Sequence, residues 1–178
     1  MNFIIFMPDE LRAESVCCYG HPLRHTPHFD SFAAEGTRFS QCHVQHTVCT
    51  PSRCSMMTGW YPHVRGHRTL WNLLQPDEPN LFKYLKSVGY DVRCWGKNDL
   101  FSEEAFKSSV HEFAKPQIPE SCQDRTRMSK KDQVFANDTF LYPAYSGGEA
   151  SAGDYHAVQE AIRYLQSGPE EHFLLFLP

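Results

Sequence analysis

Short apolar runs alternate along the chain with segments in which apolar residues recur every three or four positions. Residues 3–7 form a continuous apolar run, which is typical of a strand buried on both faces of a parallel sheet. The runs at 90–95 and 172–177 predict two further strands, and residues 37–44 predict a short one. Helical spacing, with a glycine after each segment, predicts helices over residues 26–35, 51–58, 81–88 and 154–165. This alternation predicts an α/β fold with a mostly parallel sheet flanked by helices.

The chain of 178 residues has the length of one domain, and we treat residues 1–178 as one unit. Between 102 and 150 the periodic pattern dissolves into mixed polar, aromatic, glycine and proline residues, which predicts an irregular insert. The chain stops directly after the strand predicted at 172–177, where a parallel sheet should deliver its next loop. We therefore expect the sequence to be a truncated part of a larger fold.

Composition excludes several classes of protein. With 17 Lys and Arg against 21 Asp and Glu, the net charge of −4 argues against a protein that binds nucleic acid. The longest apolar runs are far shorter than the roughly 20 residues that a membrane helix needs. The first residues lack the features of a secretory signal, so we expect a cytoplasmic location if Met1 is the true start.

The seven cysteines are an odd number without a CxxC pair, so we expect reduced, mostly packed thiols rather than a disulfide framework. His43 and His46 are zinc ligands by type, but no second Cys/His pair with zinc-finger spacing accompanies them. Surface or packing roles are therefore favoured for both histidines.

Candidate chemistry lies at three positions. Cys49 precedes a predicted helix and Arg53 follows four residues later, a setting that lowers the pKa of a thiol and favours anions. Asp9 and Glu10 follow the first strand, where open α/β sheets place ligands, and Lys97 follows a later strand. Each has an ordinary alternative: a buried cysteine beside a solvated arginine, a solvated acidic turn, and an exposed lysine.

Motifs throughout the chain then point to one family. Residues 49–53, C-T-P-S-R, resemble the C-x-P-S-R signature of the sulfatase family, in which the cysteine is oxidised to formylglycine. Four further elements resemble the family's in the same order: an opening strand with an acidic pair (3–12), a helix beginning T-P (26–39), T-G-x-Y-P (58–62) and G-Y-x-x-x-x-x-G-K (89–97). Residues 154–177 also resemble the family's helix and strand that precede its PH-x-P loop. The resemblance implies an alkaline-phosphatase-like fold, of which this chain is the N-terminal portion.

The resemblance also implies a reaction and its residues. Formylglycine derived from Cys49 would attack the sulfur of a sulfate ester as a hydrated aldehyde, and the alcohol would leave. Arg53 would orient the formylglycine and Lys97 would contact a sulfate oxygen. Asp9, Glu10 and the modified Cys49 would ligate a divalent cation, with Ca²⁺ expected and Mg²⁺ or Mn²⁺ as alternatives. The implied partners are a small-molecule or carbohydrate sulfate ester and the formylglycine-generating enzyme, with no nucleic acid and no membrane.

Two departures from the family pattern keep other functions open. Glu10 stands where the family usually has a second aspartate, and Asn98-Asp99 stands where it often continues with a histidine. Both favour, as an alternative, a phosphonate monoester hydrolase or phosphodiesterase of the same superfamily. A non-catalytic sulfatase-like protein is a further alternative. No part of the chain matches the family's remaining metal ligands, so we expect the chain alone to be inactive.

Overall fold

A computed structural model describes residues 1–23, 25–66, 69–115, 117 and 152–178. Within these residues, four parallel strands form a sheet in the order β1-β4-β2-β3. The strands are β1 (Phe3–Phe6), β2 (Asp91–Trp95), β3 (Glu112–Ala114) and β4 (Phe173–Leu177). The α-helices are α1 (Pro27–Glu35), α2 (Cys49–Thr58), α3 (Leu81–Ser87), α4 (Glu103–Ser109) and α5 (Gly153–Gln166). The described part of the chain also contains three short 3₁₀ turns, at Ala13–Ser15, Cys17–Tyr19 and Val64–Gly66. The predicted α/β fold is confirmed.

The core lies on both faces of the two central strands, β4 and β2. Alternate residues of a strand point to opposite faces, so Leu174 and Phe176 pack with α3, α4 and the buried side of α2. Phe173 and Leu175 pack on the other face against the small residues of α5. The prediction of a buried final strand is therefore confirmed, since four of its five residues are buried.

The first strand differs from its prediction. Among the strands of the described residues, β1 lies at an edge of the sheet and pairs only with β4, with Phe3 opposite Leu174. Ile4 and Phe6 remain about half exposed, at 52% and 53%. The expectation that this run is buried on both faces is wrong for the described structure, because the described elements cover β1 only in part: the Phe29 ring of α1 lies 6.3 Å from the ring of Phe6. An apolar run reports the preference of its residues for burial, not their actual neighbours.

Several predictions for the segments between the main elements also differ from the structure. Residues 37–44 form no strand. The irregular stretch predicted from 102 onward begins instead with α4, capped by Ser102, and with β3 paired to β2. Residues 118–150 of that predicted insert lie outside the described residues. Helix α5 begins one residue before the predicted start, at Gly153, and Asp154 lies in its first turn.

The parallel strands bring the chemistry-bearing loops to one edge of the sheet. Asp9 lies three residues after the end of β1, and Lys97 lies two residues after the end of β2. Helix α2 is directed with its N-terminus, which begins at Cys49, toward the same edge. Among the residues that the structure describes, no helix combines the length and the apolar character needed to cross a membrane.

Candidate active site

Four predicted side chains meet at this edge of the sheet. The Asp9 carboxylate accepts hydrogen bonds from Arg53 Nη2 at 3.0 Å and from Lys97 Nζ at 2.8 Å. The Cys49 thiol lies 3.8 Å from Asp9 Oδ1 and 3.7 Å from Lys97 Nζ. Residues separated by up to 88 positions in the sequence thus form one cluster.

Local structure explains how each side chain reaches the cluster. Cys49 and Arg53 are four residues apart on α2 and therefore lie on the same side of the helix. Lys97 follows Gly96, whose φ of +133° is unfavourable for other residues. A Cβ at Gly96 would lie 2.9 Å from the carbonyl oxygen of Pro178, so glycine also permits the close approach of the chain after β4.

Arg53 is the fixed member of the cluster. Its side chain is only 3% exposed, and its second nitrogen, Nη1, donates to the backbone carbonyl of Lys97 at 3.3 Å. Lys97 is 43% exposed. A buried guanidinium and a partly exposed ammonium thus place two positive charges on the Asp9 carboxylate, and the ammonium of Lys97 also lies beside the Cys49 sulfur.

The two cations set the charge state of Asp9. Partial burial raises the pKa of Asp9, but the hydrogen bond and charge of Lys97 and those of Arg53 outweigh it and lower the pKa below 3.8. The hydrogen bond to Asp9 is in turn the largest contribution that raises the pKa of Lys97, opposed by burial and assisted by Asp99. Both groups are charged at neutral pH.

The expected lowering of the Cys49 thiol pKa is wrong. Burial raises the pKa of Cys49, and the negative charge of Asp9 raises it further, against the opposing effect of Lys97. Helix N-termini and cations do favour thiolates, but here a carboxylate and desolvation dominate. Unmodified Cys49 is therefore a poor nucleophile at neutral pH.

Asp99 belongs to the cluster although the sequence assigned it no role. Its carboxylate lies 3.1 Å from Lys97 Nζ, so Lys97 joins Asp9 and Asp99. The spacing Lys97-x-Asp99 after a strand was a signal for this contact, since alternate residues of an extended chain can share a side.

The cluster opens into a cleft of about 520 Å³, whose lining includes Asp9, Glu10, Cys49 and Arg53. Glu10 has a φ of +57°. Among the described residues, its carboxylate does not form a group with the Asp9 carboxylate and the Cys49 thiol in which all three lie within ligand distance of one another. The one group of three converging His, Cys, Asp or Glu ligands in the described parts of the chain lies elsewhere. The structure thus unites Asp9 with Cys49, Arg53 and Lys97, but leaves Glu10 beside them.

The comparisons with solved structures identify the class of the fold. The chain superposes with a TM-score of 0.71 on a structure solved with its substrate D-glucosamine-2-N,6-O-disulfate, at 22% identity, over 99% of this chain and 33% of that one. It superposes equally well on the phosphonate monoester hydrolase of Agrobacterium radiobacter, at 17% identity, over 98% of this chain and 40% of that one. The fold is alkaline-phosphatase-like, as the resemblance implied.

Sequence comparisons then identify the family. The family model described as Sulfatase matches residues 1–178, and the chain belongs to the sulfatase family. It is 33% identical to an N-acetylglucosamine-6-O-sulfatase of Bacteroides thetaiotaomicron over 102 residues, which are 57% of this chain and 18% of that protein. It is 35% identical to the steryl-sulfatase of Rattus norvegicus over 107 residues, 54% of this chain and 18% of that protein. These matches span about a fifth of the length of the curated relatives.

Proposed function

We propose that this chain contributes the nucleophile side of the active site of a sulfuric ester hydrolase. The observation that carries the proposal is the convergence of Cys49, Asp9, Arg53 and Lys97 at one edge of the sheet, where the first three line an open cleft. These residues occupy the positions of the family motifs from three separate segments. Formylglycine derived from Cys49 would be the nucleophile.

The charges of the cleft suit a sulfate ester. Arg53 is buried and held between Asp9 and the Lys97 carbonyl, so its position is fixed before substrate binds. Lys97 is reachable and can offer its ammonium to a sulfate oxygen. A positive charge placed in advance stabilises the charge that develops on oxygen in the transition state.

A divalent cation fits this site in part. Asp9 is an ionised hard oxygen ligand on the cleft, Glu10 lines the same cleft, and residue 49 lies 3.8 Å from Asp9. Asp9 is the best-placed ligand; Glu10 would have to turn toward it. When bound, Ca²⁺, or alternatively Mg²⁺ or Mn²⁺, would supply Lewis-acid polarisation of the sulfate. Two carboxylates are fewer than the roughly six oxygen ligands that Ca²⁺ takes, so residues 1–178 alone should be inactive.

The substrate class and partners rest on the relatives. One similar structure was solved with a sulfated glucosamine and another with k-i-k-neocarrahexaose, which favours a carbohydrate or other small-molecule sulfate ester here. The modification of Cys49 would require a formylglycine-generating enzyme. A cytoplasmic location is part of this proposal.

Hydrolysis of a phosphonate monoester or phosphodiester is the second candidate. Two observations favour it: Glu10 stands apart from the Asp9 cluster, and Asp99 accompanies Lys97 at 3.1 Å. The Asp99 carboxylate adds a negative charge beside Lys97, and so reduces the net positive charge that this side of the site presents to an ester. A sulfatase-like protein without activity is the third candidate.

The first experiment is mass spectrometry of the protein from its native source. Trypsin cleaves after Arg38 and Arg53, so the peptide of residues 39–53 contains both Cys42 and Cys49. We expect an aldehyde at Cys49 and an alkylated thiol at Cys42, which is an internal control within the same peptide. A thiol at both positions, in a source that carries the modifying enzyme, would exclude formylglycine chemistry.

The second experiment compares aryl sulfate and aryl phosphonate turnover by the full-length protein. Lys97→Met should lower turnover of the preferred ester, whereas Lys83→Met, at an α3 lysine that binds the Pro76 carbonyl, should not. Faster turnover of the phosphonate would select the second candidate. An intact thiol at Cys49 in a host able to modify it, with no turnover of either ester and no binding of a divalent cation, would select the third.

A further inference from the structure

A second cluster of ligating side chains lies between β1 and α1, outside the cleft. Cys17 begins the second 3₁₀ turn, and His21 and His25 follow at intervals of four residues. One ligand atom from each of the three lies within 4.8 Å of the other two. The Cys17 Sγ and His25 Nδ1 are 3.9 Å apart, and the two imidazole rings meet edge to face at 4.4 Å.

These distances are close to those of a tetrahedral metal site. With zinc–sulfur and zinc–nitrogen bonds of about 2.3 and 2.0 Å, the sulfur and nitrogen ligands of one zinc ion lie roughly 3.5 Å apart. A shift of a few tenths of an ångström would therefore bring Cys17 and His25 to bonding positions. Such a shift is small for side chains that are half-buried or exposed.

The neighbouring backbone positions both imidazole rings. The Nε2 of His25 lies 2.9 Å from the Ser15 carbonyl, and its Nδ1 lies against the Leu23 carbonyl. Ligating histidines usually donate their other ring nitrogen to a carbonyl, and the Ser15 carbonyl is placed to accept that bond when Nδ1 turns from Leu23 to a metal. The Nδ1 of His21 accepts from the Leu23 backbone nitrogen at 3.2 Å, a hydrogen bond that a metal bound at this nitrogen would replace.

Cys17 is also oriented by its surroundings. Its backbone nitrogen donates to Thr26 Oγ1 at 2.9 Å, and its thiol donates to the Leu23 carbonyl at 3.0 Å.

We propose that Cys17, His21 and His25 bind one Zn²⁺ ion, with water as the fourth ligand. Binding releases the thiol proton to solvent, and the sulfur and the two imidazole nitrogens donate their lone pairs to the metal. One sulfur and two imidazoles are ligands that zinc accepts readily, whereas Ca²⁺ and Mg²⁺ prefer oxygen. The cation of the catalytic cleft and this ion would therefore be of different kinds.

The position of the cluster indicates what the ion would do. It would join the 3₁₀ turn at Cys17–Tyr19 to the residues just before α1, and so fix the connection between β1 and that helix. Leu11 and Arg12 in this connection line the catalytic cleft. Zinc would thus stabilise one wall of the cleft without entering it.

Cobalt and zinc titrations of the purified protein test this site. The catalytic cysteine is first replaced by Cys49→Ser, so that it cannot contribute a signal. Co²⁺ should then produce a thiolate-to-metal charge-transfer band and the intense visible bands of a tetrahedral ion. A chromophoric chelator measures the zinc affinity in competition, and no assay of enzymatic activity is needed.

The variants separate this cluster from other thiols. Cys17→Ser should abolish the charge-transfer band, and His21→Ala and His25→Ala should each weaken zinc binding at least about tenfold. Cys18→Ser, at the adjacent cysteine outside the cluster, should retain both signals. Near-ultraviolet circular dichroism checks that every variant is folded. Any of three results would overturn the proposal. The first is a weak octahedral Co²⁺ spectrum without the charge-transfer band, and the second is loss of that band in Cys18→Ser as complete as in Cys17→Ser. The third is an unchanged zinc affinity in folded His25→Ala.

Discussion

Replacing Arg53 by methionine tests whether the ion pair with Asp9 stabilises the fold as well as the cleft. Methionine keeps much of the buried volume but removes the bonds to Asp9 and to the Lys97 carbonyl. Loss of one partner of a fully buried ion pair costs roughly 3–5 kcal/mol. Asp9 is 35% exposed and keeps its 2.8 Å bond to Lys97, so the cost should be lower. A bond to a charged group contributes about 1.5–3 kcal/mol, which gives an expected loss of about 2 kcal/mol.

Urea unfolding followed by tryptophan fluorescence measures this loss at pH 7. The matched control is Arg163→Met, because Arg163 is 63% exposed and pairs with Glu160 at 3.0 Å on α5. An exposed pair of this kind should change the free energy of unfolding by less than about 1 kcal/mol. In an Asp9→Asn background the effect of Arg53→Met should shrink by about 1 kcal/mol, since the charged partner is gone.

The dependence on pH has a defined sign. The pKa of Asp9 is lowered in the folded protein, so its contribution to stability is present above its ordinary value of 3.8. That contribution disappears as the pH falls through the lowered pKa. The difference in the free energy of unfolding between the wild type and Arg53→Met should therefore become smaller below pH 3.8. If Arg53→Met lowered the free energy of unfolding by the same amount in the Asp9→Asn background and at low pH, the ion-pair explanation would be refuted. Packing would then be the cause of the lost stability.

Three further predictions concern other positions. Gly96→Ala should lower the free energy of unfolding by about 1–3 kcal/mol in a denaturant titration, because its Cβ would meet the Pro178 carbonyl at 2.9 Å and φ is +133°; unchanged stability would contradict the close approach. Asn80→Ala should cost about 1–2 kcal/mol in thermal unfolding, because the buried Asn80 side chain caps α3; a loss below about 0.5 kcal/mol would contradict the capping role. In protein expressed without the modifying enzyme, Cys49 should react with iodoacetamide more slowly than exposed Cys42 at neutral pH, with a rate that rises past pH 9, because burial raises its pKa; equal rates would contradict the raised pKa.

Helices, strands and motifs that depend on neighbouring residues could be predicted from the sequence. The helical segment that ends at Gly59, the run that forms β2 and the apolar residues of β4 all reflect local spacing and turn chemistry. The motif around Cys49 likewise lies within one short segment. These features depend on neighbours within about four residues, which a sequence displays directly.

The tertiary structure alone decided which of these residues meet. Asp9 and Lys97 are 88 positions apart, and only the parallel order β1-β4-β2 brings their carboxylate and ammonium into contact. The raised pKa of Cys49 follows from burial and from that same Asp9, so the field of α2 alone gave the wrong sign. The exposure of β1 was equally invisible in its residues, because burial depends on what packs against a strand.

The cluster of Cys17, His21 and His25 lies between these two cases. Its intervals of four residues are present in the sequence, but Cys17 begins a 3₁₀ turn and both histidines lie in the loop that follows, so the three residues do not share one helix. Backbone bonds to Ser15 and Leu23 decide where the ring nitrogens point. The sequence by itself determined the elements and the ligand types, and the folded chain determined their convergence, because distances between loops depend on packing that no local pattern encodes.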